Sequence, residues 1–175
     1  MVRPVMTVSE SVSPPDMQGT AEAHGAGGGG HGRQGRTAEL RRVLCVDDDA
    51  DIRAITDLAL GMIGKLDVTL CESGEACLLA LERDLPDLVV LDVNMPGLDG
   101  LETLRLIRCN PRTAGLPVVM LTARMVQHDV DSYHAAGATG VIGKPFDPMD
   151  LASRLHVYHD GHIRSLGLSA TATGR

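Results

Sequence analysis

Leu88-Val89-Val90-Leu91-Asp92 decides the fold: four consecutive apolar residues closed by a carboxylate. A run without apolar/polar alternation is expected of a strand in a parallel sheet, covered on both faces. Runs of the same kind flank it at Val43 to Val46, Val68 to Cys71 and Val118 to Leu121, with a weaker one at Val141-Ile142. Between them apolar residues recur at helical spacing: Ile52, Ile55, Leu58 and Met62, then Ala76, Leu79 and Ala80, then Leu101, Leu104 and Ile107. The spacing predicts a less amphipathic fourth helix over about 126–136, stopped by Gly137. A last helix is expected from Pro148, suited to a first turn, to about Tyr158, with Leu151, Leu155 and Tyr158 on one face. Five strands alternating with helices make an α/β sheet.

The chain has 175 residues, 43% of them hydrophobic, which is room for one domain and tails. Residues 1–38, rich in Gly, Ser and Pro, are read as a disordered leader, 39–159 as the domain and 160–175 as a flexible tail. Within the leader, His24 and His31 are taken as solvated. A net charge of −7 and a pI near 5.4 argue against direct nucleic-acid binding and against an anionic membrane surface. No run reaches the roughly 18 to 20 apolar residues of a bilayer span, and Met1 to Pro15 lacks the apolar stretch of a signal peptide, so a cytoplasmic location is expected. Cys45, Cys71, Cys77 and Cys109 lack Cys-x-x-Cys spacing and are read as reduced, buried thiols. With aromatics at 2%, stacking platforms for bases or a flavin are scarce.

Chemistry concentrates where the strands end. The first run closes on Asp47-Asp48-Asp49, the third on Asp92 and the fourth on Thr122, while the fifth leads into Lys144. In an open parallel sheet these carboxyl ends share one crevice. Singly, each residue has a structural explanation: a helix cap at Asp49, dipole complementation by Asp47 and Asp48, a turn at Asp92 or Thr122. Together, several carboxylates converging on one cleft demand a cation, and Mg²⁺ suits a site of one or two carboxylates with water and a phosphate oxygen. Adding an ammonium and a hydroxyl gives a constellation able to receive a phosphoryl group on Asp92. The chain has only two lysines, and one of them stands here, before Pro145.

Over about residues 41–158 the chain resembles the receiver domains of response regulators. The resemblance rests on Val46-Asp47-Asp48-Asp49, on Leu91-Asp92-Val93-Asn94-Met95-Pro96-Gly97-Leu98-Asp99-Gly100, on Leu121-Thr122-Ala123 and on Gly143-Lys144-Pro145-Phe146, in that order and spacing. It implies a doubly wound five-stranded parallel sheet of order 2-1-3-4-5 with helices on both faces, the flavodoxin-like receiver fold. It implies Asp92 as phosphoacceptor from a phosphohistidine, and Mg²⁺ held by Asp48, Asp92 and the backbone carbonyl of Asn94, with Asp47 acting mainly through water. Thr122 is the implied switch hydroxyl, Lys144 the implied partner of the acyl phosphate, and Lys144-Pro145 an implied cis bond. The implied function is a signalling switch or phosphorelay intermediate, not an enzyme beyond self-phosphotransfer and slow autodephosphorylation. The implied partners are a sensor histidine kinase or histidine phosphotransfer protein, docking near the first helix, and a downstream protein that reads the face of the last two helices and the last strand. Asn94 and Arg124 take positions that flank the phosphate in the family.

One departure stands out. Where many members carry a rotating aromatic residue, this chain has Val141, so coupling is expected to run through backbone shifts near Thr122 and the fourth helix. Two rival readings fit less of the sequence. A haloacid-dehalogenase-like phosphatase would use Asp47 as nucleophile and Asp49 as general acid, but it wants further late acidic ligands and leaves Asp92 unexplained. A flavodoxin-like cofactor binder needs a phosphate cradle where this chain has an acidic run. His156, His159 and His162 are read as a polar helix end rather than as metal ligands.

Overall fold

A computed structural model describes residues 39–168. Five parallel strands, β1 (Arg42–Val46), β2 (Asp67–Cys71), β3 (Leu88–Asp92), β4 (Val118–Thr122) and β5 (Gly140–Gly143), form one sheet in the order β2-β1-β3-β4-β5. The expected architecture and strand order are both present. Every residue of β3 and β4 is buried, which accounts for their unbroken apolar runs. Alternate side chains enter two cores: Val43, Cys45, Leu88, Val90, Val119, Leu121 and Ile142 on one face, and Leu44, Val46, Val89, Leu91, Val118, Met120 and Val141 on the other. Each such large side chain contributes about 1.5–3 kcal/mol by leaving water.

The helices are α1 (Ala50–Asp57), α2 (Gly74–Arg83), α3 (Gly100–Cys109), α4 (Gln127–Ala135) and α5 (Pro148–Ser165). α1 runs without a break into a π-helical segment, Leu58–Ile63, that packs with α5 on the first face; α2, α3 and α4 cover the second. α3 buries Leu104 and Ile107 as the spacing predicts, and α4 buries only Tyr133, in keeping with its weak amphipathicity.

Three expectations need correction. In α1 and its π-helical extension the predicted stripe faces out: Ile55, Leu58 and Met62 are exposed, the last by 68%, while Thr56, Ala59 and Leu60 are buried. The buried stripe combines small Thr56 and Ala59, which let the backbone approach its neighbours, with Leu60, which fills the first core. Gly64 shows how close that approach is, since a Cβ there would stand 2.7 Å from that of Ala152. In α2, likewise, Cys77 and Leu81 are buried while Leu79 is exposed. Finally, α5 continues past Tyr158 to Ser165, because His159 and Ile163 extend the buried stripe begun by Leu151 and Leu155. The leader, with His24 and His31, and the last seven residues of the expected tail lie outside the described residues.

Cys45, Cys71 and Cys77 are buried free thiols as expected, but Cys109, at the end of α3, is exposed rather than buried. Burial pushes the Cys45 and Cys77 thiols up to about 12, with nearby Asp47 adding to the effect at Cys45. Both are therefore poor nucleophiles at neutral pH. Among the described residues no helix is long and apolar enough to cross a membrane.

Candidate functional site

β1 and β3 deliver their terminal carboxylates to one place because they are hydrogen-bonded neighbours, Val46 lying opposite Leu91. Asp47, Asp48 and Asp92 each offer a carboxylate oxygen within 4.8 Å of the others. Asp47 is fully buried, Asp92 is 3% exposed, and Asp48 faces solvent. Lys144, leaving β5, extends Nζ to 2.6 Å from Asp47 Oδ2 and 2.6 Å from Asp92 Oδ1. The cis Lys144-Pro145 bond is present.

Each group is further anchored by backbone. Asp47 Oδ1 accepts the Asp49 N–H at 3.0 Å, and Asp92 Oδ2 accepts the Asn94 N–H at 3.0 Å. Burial holds the Asp47 carboxyl above its ordinary range, a tendency that Lys144 and the Asp49 amide oppose and Asp92 reinforces. For Lys144 burial works against the charge, but hydrogen bonds to Asp47 and Asp92 outweigh it and its pKa is raised. The ammonium is thus retained as the counter-charge of the cluster.

Thr122 closes β4 one residue pair before Lys144, whose N–H donates to the Thr122 carbonyl at 2.7 Å. Its hydroxyl, almost wholly buried, donates to the Arg124 carbonyl and accepts the Arg124 N–H, both at 3.1 Å. The hydroxyl therefore stands beside the cluster but is engaged in its own loop, and Arg124 and Asn94 are exposed at the rim. Asp49 caps α1, accepting from the amides of Asp51 and Ile52, which accounts for it without a phosphatase's general acid. The three histidines form no shared site. His159 is buried beside Asp160, and His162 Nε2 lies 3.0 Å from the Gly115 carbonyl.

Two features carried no sequence signal. Arg53 reaches back from α1 to the carbonyls of Asp47 and Asp48. Tyr158 lays its ring across Gly140, where any Cβ would collide with it, and its hydroxyl donates to the Val141 carbonyl at 3.1 Å. Glycine spacing reports neither contact, because both join segments far apart in the chain or side chain to backbone.

Fold and cleft define a flavodoxin-like α/β domain with a carboxylate cluster and a lysine at its topological switch point. A family model described as the response regulator receiver domain matches residues 43–156, and the chain belongs to that family. Among curated relatives it is similar to the DNA-binding response regulator MtrA of Mycobacterium tuberculosis, 36% identical over 115 residues, covering 66% of this chain and 49% of that protein. It is also similar to the transcriptional regulatory protein CseB of Streptomyces coelicolor, 38% identical over 143 residues, covering 78% and 59%. The chain spans about half the length of such relatives. Among solved structures, chemotaxis protein CheY4 of Vibrio cholerae superimposes with a TM-score of 0.65 at 29% identity, covering 69% of this chain and 99% of that one. A response regulator of Chloroflexus aurantiacus gives 0.65 at 32%, covering 69% and 98%. The domain is accordingly a phosphorylation-controlled module of two-component signalling, a family that receives phosphoryl groups from histidine kinases and generally binds Mg²⁺ at an aspartate cluster.

Proposed function

We propose that Asp92 is the phosphoacceptor of a signalling switch or relay, taking its phosphoryl group from a phosphohistidine and changing the binding of a separate protein. The observation that carries this reading is the convergence of three carboxylates and one ammonium at neighbouring strand ends. An Asp92 carboxylate oxygen attacks phosphorus, the phosphorus–nitrogen bond breaks with its electron pair passing to the imidazole, and an acyl phosphate forms. Lys144, already 2.6 Å from Asp92 Oδ1, offers its charge to the oxygens that gain it. The all-oxygen, anionic donor set suits a hard divalent cation. Asp48, Asp92 and the Asn94 carbonyl would hold Mg²⁺, with Asp47 assisting, and the ion supplies charge neutralisation to the phosphoryl oxygens. Thr122 is the hydroxyl that turns from Arg124 toward the phosphoryl group.

The domain runs from residue 39 past the expected boundary at 159 to the end of α5 at Ser165, since Ile163 is buried with the rest of that helix's stripe. The upstream partner is a histidine kinase or histidine phosphotransfer protein. Its docking region lies at α1 and its π-helical extension, where Ile55, Leu58 and Met62 stand exposed. The downstream partner reads α4, β5 and α5. With Val141 buried in the core where a rotor would sit, the signal travels by backbone movement of the Thr122 loop and α4.

Incubation with a labelled small acyl-phosphate donor should give Mg²⁺-dependent incorporation that hydroxylamine releases, as an acyl phosphate requires. Label that is independent of Mg²⁺, or that resists hydroxylamine, would contradict this chemistry.

A further inference from the structure

The β1–α1 turn carries two of the three clustered carboxylates, and its backbone is held by a side chain that is not one of the cluster. Arg53 Nη1, about one turn into α1, donates to the carbonyl of Asp47 at 2.7 Å and to that of Asp48 at 2.9 Å. Nη1 has two hydrogens, one for each oxygen. Lys144 holds the Asp47 side chain, but the other contacts of the turn's backbone bring no cation: the Asp47 N–H donates to the Cys71 carbonyl at 3.2 Å, and the Asp49 N–H to Asp47 Oδ1 at 3.0 Å.

The physical problem at this turn is repulsion. Asp47, Asp48 and Asp49 are consecutive, Asp92 lies beside them, and two carbonyl dipoles converge on one point. Without a cation at that point, the two peptide planes would rotate apart and carry the Asp48 side chain with them. A charge-assisted bond to each carbonyl fixes both planes. Asp48 gains most from this, because it is exposed whereas Asp47 is held by burial and by Lys144.

We propose that Arg53 is a positioning residue for the metal-holding acidic pair: by pinning the carbonyls of Asp47 and Asp48 it preorganises the turn for a divalent cation. It touches neither the cation nor the phosphoryl group. The inference rests on the reading of the cluster as a Mg²⁺ site.

The test is calorimetric titration of the intact chain with Mg²⁺ alone, in the wild type, Arg53→Gln, Arg53→Met and Arg53→Lys, each first shown to be folded by circular dichroism. Loss of a supporting group behind the ligands typically weakens metal affinity about tenfold or more, so Gln and Met should raise the Kd by about that factor. Lys, whose ammonium keeps the charge and has N–H donors enough for both carbonyls, should stay within about threefold, a rescue that loss of packing would not give. Amide hydrogen exchange of Asp48 and Asp49 should quicken in the first two variants and not in Lys. Met retains the apolar stem and serves if Gln proves unfolded. No Mg²⁺ binding by the wild type overturns the cluster reading and this proposal with it. Unchanged affinity in Gln and Met, or equal weakening in all three variants, overturns the proposal alone.

Discussion

Replacing Lys144 by Ala is expected to destabilise the Mg²⁺-free protein by about 2–3 kcal/mol at pH 7.5, with most of the loss restored by millimolar Mg²⁺. The lysine is bonded to Asp47 and Asp92 at 2.6 Å each, and both carboxylates are almost entirely buried. Removing one partner of a buried ion pair costs about 3–5 kcal/mol when the other cannot adjust. Here it can, because burial already raises the Asp47 carboxyl and a proton can replace the ammonium. That gives the deficit a pH signature. A carboxyl whose pKa is raised on folding contributes stability that is fully present below its unfolded value and lost as pH rises through its folded value. Without Lys144 the folded value climbs further, so the loss moves toward neutrality and the deficit shrinks on acidification. The raised Lys144 pKa has the same sign: its contribution in the wild type is complete below the ordinary lysine value and lost only at strongly alkaline pH. Urea unfolding of both proteins across pH 5 to 8, with and without Mg²⁺, checks this; a deficit insensitive to both would contradict it.

Gly100→Ala is expected to be more damaging still, at about 3 kcal/mol or beyond. Gly100 opens α3 behind Asp99, whose carboxylate accepts the Glu102 N–H at 2.7 Å in a capping box. The Gly100 N–H donates to the Val93 carbonyl at 3.0 Å, so the helix start rests on the strand end that carries Asp92. A Cβ at Gly100 would run into the Asp92 carbonyl oxygen and stand 2.8 Å from Val93 Cα. These obstacles are backbone, which cannot swing aside as a side-chain tip can. Helix propensity favours Ala over Gly by about 1 kcal/mol, so the steric cost must overcome an intrinsic gain. Gly161→Ala in α5, with nothing within 4 Å, isolates that gain and should stabilise by about 0.5–1 kcal/mol. If Gly100→Ala raises the unfolding midpoint as Gly161→Ala is expected to, the close packing of α3 on Asp92 is refuted.

The strands and their ends were legible for one physical reason. A parallel strand buried on both faces must be apolar throughout, so each run announces itself and the first polar residue after it marks the carboxyl edge. That logic places Asp47, Asp92, Thr122 and Lys144 at the strand ends from sequence, and the structure brings the lysine into direct contact with both aspartates. It failed where two stripes compete on one helix. In α1 and its π-helical extension Ile55, Leu58 and Met62 satisfy helical spacing as well as Thr56, Ala59 and Leu60 do, and only packing against the sheet and α5 decides between them. The length of α5 was missed because Gly161 and three histidines imitate a frayed end, whereas His159 and Ile163 are buried. Arg53 was invisible because its partners are carbonyl oxygens, which every residue has.

The central claim is that Asp92, and not Asp47, receives the phosphoryl group. Intact-mass spectrometry of the wild type, Asp92→Asn and Asp47→Asn after incubation with an acyl-phosphate donor and Mg²⁺ tests it directly. A single phosphoryl adduct on the wild type that is absent from Asp92→Asn is the predicted result; an adduct that persists in Asp92→Asn and disappears in Asp47→Asn would contradict it.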